Sequence, residues 1–86
     1  MTNGKKHNIT DIDRETIKQI ANKAKEMRVS KGYSYEDFAL HAKINRNTYF
    51  KFEKSASTGD NFTVAVLTKV IRGLDLTFES FFKGIL

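Results

Sequence analysis

Apolar positions along this 86-residue chain recur three and four residues apart, the spacing of helices with one buried face. Ile17, Ile20, Ala21, Ala24, Met27 and Arg28 fall on one such face. Thr10 or Asp13 can cap the start of this long first helix, and Asp11, Asp13 and Glu15 suit the positive end of its dipole. Ile12 joins Ile17 as a packing candidate near that start. Gly32 turns left-handed without strain and ends the helix.

From Ser34 to Glu53 the pattern shortens into two helices joined by a tight turn. Ser34 followed by Asp37 forms a capping box with Asp in place of Glu, and Phe38, Ala39 and Ala42 share the inner face. Asn45 caps the next helix, where Tyr49 and Phe52 lie three apart on the inner side. Arg46, Asn47, Phe50, Lys51 and Lys54 are left to point elsewhere. Ser55 to Asn61 is small and polar, a loop by composition. Asn61 or Thr63 then opens a helix with Val64, Leu67, Val70, Ile71 and Leu74 inward and Lys69 and Arg72 outward. Gly73 is expected to bend or fray its end. Thr77 caps a last helix bearing Phe78, Phe81, Phe82 and Ile85. The prediction is an all-α fold of five helices over residues 10–86, with residues 1–9 a flexible N-terminal tail.

Charge narrows the function. The net charge is +5, which favours a polyanionic partner. Lys43, Arg46, Lys51 and Lys54 gather in or beside the third helix, against only Glu53. A helix apolar on its back, with cations and amides in front, is suited to lie on nucleic acid. Arg46 and Asn47, at its N-terminal end, are the candidates for base edges, because Arg pairs with guanine and Asn with adenine. Lys51 can read a base or hold a phosphate, Thr48 and Lys54 are assigned to the backbone, and Asn45 is counted with this DNA-binding set. Phe50 has three uses open to it: a thymine methyl, packing on Tyr35, or a protein interface.

Other chemistry is not signalled. Cysteine is absent, and neither His7 nor His41 has a partner at ligand spacing, so no metal is expected. No nucleophile–base set and no Gly-rich phosphate loop is recognisable, so neither an enzyme nor a cofactor is expected. No apolar run of membrane-spanning length occurs, and no signal-peptide core, so no membrane partner is expected.

The ordered motifs resemble the phage-repressor/Cro-type helix-turn-helix domain, the XRE family. Met27, Arg28, Val29, Ser30, Lys31, Gly32, Tyr33 and Ser34 stand where that family ends its first helix and enters a Lys-Gly-Leu-Ser segment. Phe38 and Ala39 match its Leu-Ala. Ile44, Asn45, Arg46, Asn47, Thr48 and Tyr49 match its Ile-Ser-Arg-x-Thr-Ile, and Glu53 its closing Glu. The resemblance runs to Phe82.

That resemblance implies a five-helix lambda-repressor-like fold, here with an extended first helix. It implies a bidentate ion pair between Arg28 and Glu53 that fixes the third helix. The family favours Gly where Lys43 stands, so a reshaped turn is expected, and a phosphate-holding Gln where Tyr35 stands, so the Tyr35 hydroxyl is assigned to the DNA backbone. Its loop after the third helix, here carrying Ser57 and Thr58, follows the DNA backbone. Its C-terminal end commonly forms a two-fold contact, which assigns Phe78, Phe81, Phe82, Ile85 and Leu86 to a homodimer interface. The implied function is a sequence-specific transcriptional regulator, cytoplasmic and of bacterial or phage type, binding double-stranded DNA at a near-palindromic operator. The alternative is a protein-interaction module, an antitoxin or adaptor on the same fold with a toxin or other protein partner.

Overall fold

Thr10 starts the first helix with a reciprocal cap. Its hydroxyl accepts from the Asp13 backbone N–H at 3.1 Å, and the Asp13 carboxylate accepts from the Thr10 N–H at 3.3 Å. In the computed structural model, which describes residues 10–85, α1 then runs over Asp11–Ser30. The expected tail over residues 1–9, and Leu86, lie outside the described residues. Ile17, Ile20, Ala21, Ala24 and Arg28 form the buried stripe, and Met27 packs at its edge. Ile12 does not join it and is 78% exposed. Five residues before Ile17, it lies about 140° around the helix at 3.6 residues per turn.

Helix α2 spans Tyr35–Ala42 and α3 spans Arg46–Thr58. At Ser34 only the forward half of the expected capping box forms, with the Ser34 hydroxyl accepting from Asp37 N–H at 3.1 Å. The turn between α2 and α3 is not reshaped. Lys43 itself takes the left-handed conformation at φ 60°. Asn45 caps α3 as expected, its side-chain oxygen accepting from Asn47 N–H at 2.9 Å and Thr48 N–H at 3.3 Å.

The loop expected over Ser55–Asn61 is corrected: the helix continues through Thr58. Ser55 is buried and donates its hydroxyl to the Lys51 carbonyl at 3.1 Å, which satisfies it inside the helix. The stop comes at Gly59, left-handed at φ +72°, where a Cβ would meet the Arg14 Cβ at 3.1 Å. Small polar composition looked like a loop, but only glycine supplies the break.

Helix α4 covers Val64–Gly73, capped by Thr63, whose hydroxyl accepts from Val66 N–H at 3.1 Å. Leu67, Val70, Ile71 and Leu74 are buried as expected, whereas Val64 is 71% exposed. Later in the same turn Val66 packs on the core and Leu67 is buried, so it is the leading end of the helix that stands clear. Gly73 is there for close packing against α2, not to bend or fray the end. It is buried within the helix, and a Cβ on it would lie 2.9 Å from Ala42 Cβ and 3.0 Å from the Phe38 ring. Gly73→Val should therefore destabilise by about 1–3 kcal/mol through overpacking, read as a lowered urea midpoint.

Helix α5, Phe78–Phe82, opens with a second reciprocal cap between Thr77 and Ser80. Phe81 is fully buried, so it is withdrawn from the expected dimer interface; it closes the core beneath α4. Phe78 is 43% exposed, and Phe82 and Ile85 are partly buried. The described residues are thus all-helical, with five helices and no strand. Their core centres on Phe38, Tyr49, Phe52, Val70, Ile71, Leu74 and Phe81. None of the helices among the described residues is long and apolar enough to cross a membrane.

Candidate nucleic-acid interface

The back of α3 is held by aromatic packing and by one buried ion pair. Tyr49 and Phe52 are fully enclosed, and their rings contact Phe38 and Phe62 with centroids 5.2 and 4.8 Å apart. Arg28 reaches from α1 to Glu53 in the bidentate geometry expected. Its Nε donates to Oε2, and its Nη2 donates to Oε1 at 3.0 Å. The third donor, Nη1, bonds the Tyr33 carbonyl at 2.6 Å. One guanidinium therefore ties α1, the segment before α2, and α3.

Tyr49 adds a bond the resemblance did not supply: its hydroxyl donates to Glu53 Oε2. The two residues are four apart, so this neighbour was available from helical spacing. Burial, and then the Glu53 carboxylate, push the Tyr49 hydroxyl well above its usual range, so it stays a neutral donor. The hydrogen bond to Glu53 raises the Arg28 guanidinium further, against the opposing effect of burial. The pair is largely enclosed and the Glu53 carboxylate accepts from three donors, the condition under which a buried ion pair is tolerated.

With its back fixed, α3 turns Arg46, Asn47, Thr48, Phe50, Lys51 and Lys54 to solvent. Arg46 lies beside Glu36 of α2, Nη1 to Oε2 3.3 Å, with both side chains more than half exposed. Such a pair contributes about 0–1 kcal/mol and yields readily to a stronger anion. Glu36 was missed in the sequence, since nothing in its spacing from Arg46 marks the contact.

Phe50 resolves in part. Its ring centroid lies 5.9 Å from that of Tyr35, and Lys54 Nζ sits 5.7 Å above its face. Packing on Tyr35 is therefore present, yet 48% of Phe50 remains exposed, leaving an edge for a further contact. Tyr35, Phe50 and Lys54 form a continuous row from α2 to α3.

Ser57 and Thr58 occupy the last turn of α3 rather than a loop, and Thr58 Oγ1 accepts from Asp60 N–H at 3.0 Å. Beside that turn runs a groove of about 430 Å³, floored by Phe52, Phe62 and Val66 and edged by Thr48, Lys51 and Asn61. Phe62 and Asn61 were not singled out as site residues. They follow the Gly59 break, and chain direction after a left-handed residue is not readable from composition. Asn45 spends its side-chain oxygen on the cap and remains exposed.

His41 is exposed at the surface, with its ring anchored on one side. Its Nε2 lies 3.2 Å from the Gly73 carbonyl oxygen, and its ring stacks on Tyr33 at 5.1 Å. The described residues hold no cluster of potential metal ligands. Comparison of the chain with models of protein families, with curated proteins and with solved structures finds no match.

Proposed function

We propose that this chain is a sequence-specific DNA-binding transcriptional regulator of the lambda-repressor-like, XRE type, with α3 as the helix that enters the major groove. One observation carries the reading. A helix locked from behind by Tyr49, Phe52 and the Arg28–Glu53 pair presents Arg46, Asn47, Lys51 and Lys54 outward, unburied. A rigid helix with donors at its exposed N-terminal end is what base-edge contact in a major groove requires. Arg46 and Asn47 take base edges; Lys51 takes a base or a phosphate. Tyr35, Thr48, Lys54 and the end of α3 at Ser57 and Thr58 hold the backbone. The chain acts as a homodimer through Phe78, Phe82 and Ile85, with the two α3 helices about 34 Å apart on a near-palindromic site.

The test is selection of bound sites from a random duplex pool, followed by substitution. Arg46→Ala should lose about 1–3 kcal/mol and relax one base position. Lys54→Ala should weaken all sequences alike and reduce the salt slope by about one unit. Unchanged affinity and preference in Arg46→Ala would remove the base-reading assignment.

A further inference from the structure

Among the exposed residues of α3, Phe50 is the one apolar side chain. It follows Arg46 by four residues and Asn47 by three, and it precedes Lys54 by four. The four therefore share one face of the helix. The base-edge and phosphate contacts assigned to its neighbours leave the Phe50 ring without a use.

That ring is held in place. Tyr35, itself packed against the core, lies with its ring centroid 5.9 Å away, and the Lys54 ammonium covers one face. Nearly half of Phe50 is nonetheless open to solvent. An aromatic side chain fixed from behind loses little conformational freedom on binding, so its free edge is a preorganised apolar contact. Around that edge α3 presents a guanidinium, an amide and an ammonium, from Arg46, Asn47 and Lys54. The ring is a single apolar island on a polar face, far short of the contiguous patch that marks a protein interface.

We propose that Phe50 reads the C5 methyl group of a pyrimidine in the major groove. Helix α3 then demands thymine at one position of its site, and it senses methylation of a cytosine placed there. The inference rests on α3 entering the major groove, and adds to that reading a contact made by hydrocarbon alone. The groove selects the occupant. Base edges there offer hydrogen-bond donors and acceptors, which Phe50 cannot use, and one apolar group, the thymine methyl. 5-Methylcytosine carries the same group at the same ring position. Wedging the ring between base steps is the less suited use. Such wedges enter from the minor groove, and Tyr35 and Lys54 hold this ring against its own helix.

The experiment takes the duplex selected from the random pool and replaces its thymines by uracil one at a time. Each replacement removes a methyl group and leaves the pairing and hydrogen-bonding edges as they were. One thymine per half-site should cost the full chain about fourfold in affinity when demethylated, the worth of one buried methyl group. With cytosine at that position, 5-methylation should regain about the same factor. Phe50→Ala should bind the thymine and uracil duplexes alike, and the cytosine and 5-methylcytosine duplexes alike. Arg46→Ala should bind more weakly throughout and keep the parent's thymine-to-uracil ratio. The uracil scan uses the parent chain, so it does not depend on any variant folding. The proposal is overturned if no thymine of the selected site is sensitive to its methyl, or if Phe50→Ala keeps the parent's ratio. A flat scan on a duplex that still loses affinity with Arg46→Ala overturns this inference alone. Failure to select any site overturns it together with the reading of α3 as a DNA-binding helix.

Discussion

Glu53→Ala should destabilise the domain by about 3–5 kcal/mol, because it leaves a buried guanidinium without its counter-charge. The Arg28 and Glu53 side chains are 10% and 12% exposed, so solvent offers little replacement. The same change removes the acceptor of the Tyr49 hydroxyl, leaving a second buried donor unpaired. Against a total stability of about 5–15 kcal/mol for a domain, the loss is large. Arg28→Ala should cost a similar amount, and the double variant much less than the sum, because one network is being removed twice. Urea unfolding of the four proteins gives the coupling directly. Additive losses of a few tenths of a kcal/mol would mean that the pair behaves as an exposed one.

Phe81→Ala should cost about 3–5 kcal/mol as a core truncation, while Phe78→Ala should change unfolding of the single chain by less than about 1 kcal/mol. Phe81 is fully buried and Phe78 is 43% exposed. The two substitutions separate core from surface within one short helix. If the proposed homodimer forms, Phe78→Ala should weaken self-association in sedimentation, since its ring, paired with Phe82 at 6.1 Å, lies on the exposed side of α5. Equal destabilisation by both would contradict the assignment of Phe81 alone to the core.

The helices were legible where chemistry is local. Thr10, Asn45, Thr63 and Thr77 announce helix starts because a side-chain oxygen next to free backbone N–H groups has an obvious use. The stripe from Ile17 to Arg28, and the pair Tyr49 and Phe52, follow from helical spacing. What failed depended on other parts of the chain. Val64 lies in phase with Ile71, but no periodicity says where a neighbouring helix stops covering the stripe. Phe81 and Phe78 belong to one aromatic run, and only the packing of α5 tells them apart. Ser55 to Thr58 looked like a loop because serine and threonine favour loops on average; here Ser55 bonds back to its own helix and burial keeps the turn.

The candidate site divides along the same line. The outward set on α3 was readable, since those residues are the complement of the inner face. The Arg28–Glu53 pair came from resemblance, not from spacing. The contact of Arg46 with Glu36 and the groove beside Phe62 came from the way α2 and α4 are set against α3, which also selected packing on Tyr35 among the uses open to Phe50. These contacts decide which donors are free, and no local rule encodes them.

The central claim is that the outer face of α3 binds duplex DNA, and it is tested most directly by fluorescence anisotropy of a labelled mixed-sequence duplex across a salt series. The expected result is measurable binding at low salt that falls steeply as salt rises, with log affinity linear in log salt at about 0.9 per phosphate neutralised. Absence of binding at low salt, or binding indifferent to salt, would contradict the account.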